Sequence, residues 1–332
     1  MTSTRVDLRK LIVANYLGHQ NFDLEALPVD CSYRSYYRVK DGDKVYILMD
    51  SPPDKEDPGP FIKIANILKE CGISAPEIYY SDLEDGLVLI EDFGDTLFKK
   101  FLLETPEKRE ELYKAAIDLL IFLQKNYKKS DNVNDYDDIS LMREVNIFTE
   151  WYFPFLLNHK ISIDLQHEYE NLWKNLFGKI SYKTSTLVLR DYHVENLMFL
   201  NDREGLKSVG VIDFQDALHG SYAYDLVSLL EDARINVPQE FRNEMIEYYL
   251  NSAPHVDRKN FLNDYLILGA QRDIKIIGIF ARKFLRDQND KYLKYIPRMW
   301  QYIKDNIQSP ILSPLKEWLN KVEISVDRLS DD

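Results

Sequence analysis

Apolar and polar positions follow two different rhythms along this chain, and the rhythm changes near Asp95. Before it, short elements of mixed type succeed one another. The apolar positions of MTSTRVDLRKLIVANYL are spaced as an amphipathic helix near residues 4 to 17. SYRSYYRVK and KVYILMD, on either side of Asp41-Gly42-Asp43, predict a hairpin. SPPDKEDPGP then breaks regular structure, because proline has no N–H to give a ladder and Gly59 loosens the chain. FIKIANILKECG returns to helical spacing through Ile62, Ala65, Ile67 and Leu68, with Gly72 as its stop. EIYYSDLEDGLVLIEDFG adds two strands around Glu84-Asp85-Gly86. The sum is a small antiparallel sheet with one inserted helix.

Beyond Asp95 long amphipathic helices take over, expected at roughly 106–128, 138–158, 163–178, 238–252, 257–286, 289–307 and 312–323. One β-rich island interrupts them, from Thr186 to Phe214: LVLRDYHVE, a strand NLMFL, a turn NDREG, and a strand KSVGVIDF. The expected fold class is α+β. A helical region that carries a single polar hairpin marks the hairpin as its site.

Composition narrows the classes of function. The 332 residues carry 55 acidic and 42 basic side chains, a formal net charge of -13 that repels a phosphate backbone or an anionic bilayer. Neither nucleic acid nor membrane is an expected partner. Cys31 and Cys71 are the two cysteines, without a CxxC pair, so they read as buried thiols in a reducing compartment. Asp118 interrupts AAIDLLIFL, and Arg272, Asp273 and Lys275 interrupt YLILGAQRDIKIIGIF, so no transmembrane span is expected. A cytoplasmic, soluble protein is the expectation.

The polar island admits three readings. Asp191, His193 and Glu195 alternate onto one face of an extended segment and could ligate a divalent metal, but His19, His159, His167, His219 and His255 form no paired spacing to complete a zinc site. A plain surface turn accounts for clustered charge but leaves VIDFQDA unexplained, since Asp213 ends an apolar strand where a carboxylate loses solvation. Phosphoryl transfer accounts for both. Its chemistry uses a carboxylate near the acceptor hydroxyl and an amide oxygen with a second carboxylate for Mg²⁺; in the protein-kinase pattern the catalytic Asp precedes the metal-binding Asn by five positions. Asp191 and Asn196 have that spacing, and Asp213 follows after the next hairpin.

LRDYHVENLMFL followed by VGVIDFQDALHGSYAYDLVSLLEDAR resembles the signature of the aminoglycoside phosphotransferase and choline kinase superfamily. SYRSYYRV, ILMDSPPDKED and LIEDFGD resemble the small-lobe landmarks of its bacterial anomeric N-acetylmuramate/N-acetylglucosamine kinases, so the likeness spans about Cys31 to Arg234. The resemblance implies a two-lobed, protein kinase-like fold. It divides the chain into a nucleotide-binding N-lobe at 1–94, with a hinge at 91–94, and a helical C-lobe at 95–332 that carries a catalytic loop at 189–196 and a metal-binding hairpin at 196–216. It implies a kinase that uses ATP or GTP with Mg²⁺ to phosphorylate a small-molecule hydroxyl, most closely the C1 hydroxyl of an N-acetylated amino sugar recovered from cell-wall turnover. Asp191 would be the catalytic carboxylate, Asn196 and Asp213 the metal ligands, and Glu91, Asp92, Phe93 and Gly94 the segment whose backbone meets adenine. Asp225 would accept hydrogen bonds from the catalytic-loop backbone, with Arg190 as its neighbour in that support.

Two departures concern the phosphates. No glycine-rich loop precedes the first hairpin, so Ser32, Ser35 and nearby amides would cover them. The strand position that should hold lysine is Met49, which leaves Arg34, Arg38 or Lys63 to supply the cation, with the two arginines favoured. For acceptor contacts the candidates are His193, Gln215 and Asp216, each set against a role in loop structure or turn capping. Other acceptors (an aminoglycoside, choline or homoserine) and a nucleotide-binding pseudokinase are the alternatives. The pattern leaves oligomeric state and the role of the helices after residue 238 open.

Overall fold

A computed structural model of the protein describes residues 4–28 and 33–322; Cys31 and Ser32 lie outside them. The chain forms two compact units, one within Met1–Pro106 and Glu195–Asp216, the other within Glu107–Val194 and Ala217–Asp332. The chain-order division at 94/95 is a different cut, which groups 95–106 and 195–216 with the helices.

In the first unit, α1 (Arg5–Leu17) starts at Thr4, whose side chain accepts from the Asp7 N–H while the Asp7 carboxylate accepts from the Thr4 N–H. Arg5 and Arg9 both reach the buried Asp50 carboxylate, which ties the helix to the end of a central strand. The strands are β1 (Asp23–Ala26), β2 (Ser35–Asp41), β3 (Lys44–Asp50), β4 (Ile78–Asp82) and β5 (Leu87–Glu91), with α2 (Gly59–Glu70) between β3 and β4. They form one antiparallel sheet in the order β1-β2-β3-β5-β4. Pairing of Asp41 with Lys44 leaves Gly42-Asp43 as the hairpin turn, as the sequence predicts. Val39, Leu48, Leu87 and Leu89 pack with Ile12 and Val13 into a core on one face. Helix α3 (Phe98–Glu104) follows.

The second unit holds α4 (Arg109–Asn126), α5 (Asp138–Ile147), α6 (Phe153–Leu157), α7 (Ile163–Phe177) and a strand β6 (Thr186–Val188). The chain then returns to the first unit for β7 (Leu197–Phe199) and β8 (Val209–Val211), an antiparallel pair. It re-enters the second for β9 (Leu218–Gly220), which pairs with β6, and for α8 (Tyr224–Leu230), α9 (Gln239–Ser252), α10 (Arg258–Asp287), α11 (Ile296–Asn306) and α12 (Ser313–Lys321). Among the described residues no helix is long and apolar enough to cross a membrane. Cys71 is buried with a free thiol, as expected.

Where pattern and structure differ, the causes are local. β1 is an edge strand with mostly exposed side chains, so apolar alternation does not mark it; its N–H and C=O groups are satisfied by β2 instead. The helix expected over 138–158 contains a π-helical stretch at Phe148–Tyr152 just before Pro154, whose missing N–H disturbs the ladder. Gly278 of α10 faces that junction: a Cβ there would lie 2.7 Å from the Ile147 carbonyl carbon and the Phe148 nitrogen. The helix expected from 289 starts only at Ile296, with Pro297 in its first turn. α3, α8 and β9 are too short for their periodicity to register.

The β4–β5 turn rests on Gly86, which has φ +65°, accepts from the Ser51 N–H at 2.8 Å, and would place a Cβ 1.9 Å from the Ser51 oxygen. Gly86→Ala therefore meets both left-handed strain and a backbone collision. We expect a loss of stability of at least about 1–2 kcal/mol, measured as a lowered urea midpoint; an unchanged midpoint contradicts this account of the turn.

Candidate active site

The chain reaches Asp191 through a short loop whose backbone is held by a buried acid. Asp225, in the first turn of α8, is 3% exposed and accepts from the Leu189 N–H at 2.7 Å and the Arg190 N–H at 2.9 Å. Arg190 has φ 70°, a left-handed conformation that costs a side-chain-bearing residue roughly 1–2 kcal/mol. The Ser228 hydroxyl donates to its carbonyl at 3.1 Å, and its guanidinium pairs with Glu144. After this turn Tyr192, His193 and Val194 are buried and Asp191 is exposed. The Tyr192 hydroxyl donates to the Ala116 carbonyl at 2.9 Å. Hydrogen bonds and burial thus fix the loop around one solvent-facing carboxylate.

In the first unit, the register of a small hairpin assembles a second group. Leu197 pairs with Val211, and the Ile212 N–H extends the ladder to the Asn196 carbonyl at 3.1 Å. Asp213 then turns left-handed at φ 58°, which aspartate tolerates better than most residues, and its carboxylate accepts from Asn196 Nδ2 at 3.3 Å. Gln215 Nε2 donates to the other carboxylate oxygen at 2.8 Å, while its Oε1 is buried without a hydrogen-bond partner. Phe214 is buried and stacks on Phe61 of α2, with ring centroids 5.0 Å apart, which keeps the turn in place. The hairpin is held on both sides, by a bridge from Ser74 to Gly210 and another from Leu97 to Met198.

An amide, a carboxylate and an uncompensated amide oxygen suit a hard cation such as Mg²⁺, which binds through one or two carboxylates and completes its shell with water and phosphate. Among the described residues no three His, Cys, Asp or Glu side chains gather as a metal cage. In particular, Glu195 pairs with Lys99 and His193 is buried, which disperses the three alternating ligands of the metal-hydrolase reading.

The remaining candidates separate by environment. His193 is buried, at 3% exposure. Gln215 orients Asp213, and Asp216 is exposed one residue further on. Met49 is fully buried strand core. It lies opposite Tyr36, and Ile47 opposite Arg38, so Arg38 shares the face of the sheet to which Met49 points. Both favoured arginines are engaged by carboxylates: Arg34 by Glu56, with Nε at 2.8 Å, and Arg38 by Asp92 at 2.6 Å and Asp95 at 2.9 Å. Lys63 is exposed on α2, and Ser35 begins β2 opposite Asp50.

The side chains of the 91–94 segment are committed to the first unit. Glu91 pairs with Arg203, Asp92 with Arg38, and the Phe93 ring lies where a Cβ on Gly210 would approach within 2.9 Å. The Glu91 and Gly94 N–H groups bond to the Glu77 carbonyl and the Asp92 carboxylate. Sequence spacing does not point to Glu144 of α5, which pairs with Arg190, or to Gln271 and Lys275 of α10, which bond to Glu144. The available signal was charge inside an otherwise apolar helix.

The fold is that of the protein kinase-like α+β phosphotransferases: a solved ethanolamine kinase of Plasmodium vivax superposes with a TM-score of 0.64 at 13% identity, over 88% of this chain and 84% of that one. Residues 23–260 match the phosphotransferase enzyme family (APH), and the chain belongs to it. It is 35% identical to the N-acetylmuramate/N-acetylglucosamine kinase of Caulobacter vibrioides, over 90% of this chain and 91% of the relative. It is 34% identical to the Pseudomonas aeruginosa protein of the same name, over 87% and 86% respectively.

Asp225 gives the site a pH-dependent support. Burial, opposed by the Leu189 and Arg190 N–H groups and reinforced by Asp191, pushes its carboxyl up to about 7. The folded state therefore holds this proton more tightly than the unfolded chain, whose aspartates titrate near ~4. The resulting contribution to stability is complete below ~4 and lost as pH rises through about 7. Asp225→Asn removes that slope and, with one acceptor oxygen for two N–H donors, costs about 1–3 kcal/mol. Unfolding free energies of both proteins from pH 4 to 7 test this; parallel curves contradict it.

Proposed function

We propose that this chain transfers the γ-phosphoryl group of ATP, or of GTP, to the C1 hydroxyl of N-acetylmuramate or N-acetylglucosamine, salvaging amino sugars from cell-wall turnover. The observation that carries the reading is identity of 35% over 90% of the chain to a kinase of that name. The solvent-facing Asp191 of the second unit and the Asn196–Asp213 pair of the first each support it. Asp191, presented by a backbone-anchored loop, orients the acceptor hydroxyl and takes its proton late in the transfer. The anomeric hydroxyl is more acidic than an ordinary alcohol, so positioning and charge stabilisation carry most of the rate.

Asn196 and Asp213 would hold Mg²⁺, the amide turning its oxygen inward and Gln215 steadying the carboxylate. Bound there, the ion would neutralise charge on the β- and γ-phosphate oxygens. The backbone of the 91–94 segment would receive the adenine, and Ser35 would lie over the phosphates. The phosphate cation is drawn from Arg34, Arg38 and Lys63. Either arginine has to exchange a carboxylate partner for the nucleotide, and a phosphate offers the guanidinium the same bidentate geometry. His193 shapes the loop, and Asp216 is the side chain left to meet an acceptor hydroxyl.

Two measurements test the reading. ADP release coupled to a readout, across N-acetylmuramate, N-acetylglucosamine, choline, homoserine and an aminoglycoside, should give turnover with the two amino sugars and a product that has lost its reducing end. A reducing sugar phosphate, or turnover confined to the other acceptors, removes the anomeric assignment. Asp213→Ala should weaken Mg²⁺-dependent nucleotide binding by at least about tenfold, measured by titration calorimetry with and without the ion; unchanged metal dependence removes Asp213 from the metal site.

A further inference from the structure

Beside Asp191 lies a charged cluster of which only Arg190 has a part in the proposed transfer, as support for the loop. Its centre is Glu144 of α5, whose side chain is 12% exposed. The carboxylate pairs with the Arg190 guanidinium and with Lys275 Nζ at 3.2 Å, and accepts from Gln271 Nε2 at 2.9 Å and from the Tyr136 hydroxyl. The Tyr136 ring also lies 5.3 Å from the guanidinium carbon, and its hydroxyl is 3.1 Å from that of Tyr224, which accepts from Lys275 at 3.4 Å. Five parts of the second unit thus converge: α5, the segment before it, the loop at Arg190, α8 and α10.

The charges set the logic. Glu144 carries one negative charge against the two positive charges of Arg190 and Lys275, and the neighbouring Asp191 brings the sum to zero. Burial pushes the Glu144 carboxyl up, but Lys275, Arg190 and the two hydrogen-bond donors outweigh it and hold it below its ordinary value. Burial works against the Lys275 ammonium, and nearby Tyr224 and Glu144 more than restore it. The cluster stays ionised and desolvated. Such clusters are costly, and they persist where geometry needs them.

The geometry in question is that of Arg190. Its N–H is held by Asp225 and its carbonyl by Ser228. The Glu144 ion pair and the Tyr136 ring hold the guanidinium end of the same residue, so that side chain and backbone of the left-handed turn from which Asp191 projects are tied down together.

We propose that Glu144 is a positioning residue for phosphoryl transfer: through Arg190 it locks the turn that presents Asp191, while Lys275, from the helical region without a recognisable motif, completes the cluster. The inference rests on the assignment of Asp191 as the catalytic carboxylate. Displacement of a reacting group by about 1 Å costs on the order of 100-fold in rate. Glu144→Gln keeps the shape and removes the charge, so kcat should fall by roughly that factor. KM for ATP should stay within about 3-fold, since positioning acts on the chemical step rather than on uniform binding.

Glu144→Gln/Lys275→Met separates positioning from charge balance, because it removes one charge of each sign. If Glu144 positions Arg190, this variant recovers the thermal midpoint while kcat stays low. A double variant with kcat near wild type makes Glu144 a charge balancer only and overturns the proposal, as does an unimpaired Glu144→Gln. Should Glu144→Gln fail to fold, the double variant decides alone. Asp191→Ala, assayed alongside, keeps the two levels apart. An inactive Asp191→Ala with an active Glu144→Gln overturns this inference only, whereas an active Asp191→Ala removes the reading beneath it.

Discussion

Two backbone hydrogen bonds into one buried carboxylate organise the loop that presents Asp191. Among the described residues no cation is bonded to Asp225; the Leu189 and Arg190 N–H groups answer its charge directly. A buried carboxylate stabilised this way works only if the donors stand in one arrangement, because dipoles are directional where a point charge is not. The left-handed Arg190, the burial of Tyr192 and Val194, and the exposure of Asp191 all follow from that arrangement. α8 is a short helix, yet every residue of it is buried. Its function is to deliver Asp225 and Ser228 to a loop that precedes it by more than thirty positions in the chain.

The pair proposed to hold the metal is built on a different principle. Asn196 and Asp213 are brought together by strand register: Leu197 opposite Val211 leaves the flanking residues on the same end of a two-strand ladder. A register shift of one residue would turn Asp213 to the other face. The Ser74 and Leu97 bridges hold the hairpin in the sheet-bearing unit. Few side chains need to be constant for such a device to persist, which fits a fold recognisable at 13% identity to a solved kinase.

The sheet itself departs from the usual kinase solution. Met49 fills core where a lysine would reach for phosphates, and the neighbouring arginines are already paired with acids. In a chain of net charge -13, carboxylates outnumber cations, so a guanidinium is rarely left unclaimed. Nucleotide phosphates would therefore compete with resident carboxylates rather than meet a waiting charge. The 91–94 segment is stiffened in the same way, by Arg203 across Glu91 and by Phe93 against Gly210.

Local periodicity determined much of what was legible in the sequence. Two-residue alternation and turn chemistry located β2, β3, β4 and β5, and 3.6-residue spacing located the long helices, because both signals repeat within one element. The Asp191–Asn196 spacing and the later Asp213 were legible for a related reason: a loop entering a strand constrains neighbouring positions. Tertiary structure alone decided which distant groups meet. An edge strand such as β1 borrows its hydrogen bonds from a partner, α8 owes its place to what it buries, and the Glu144, Arg190 and Lys275 cluster joins residues more than a hundred positions apart. Ion pairs and capped dipoles depend on three-dimensional distance and dielectric, quantities that no local window of residues contains.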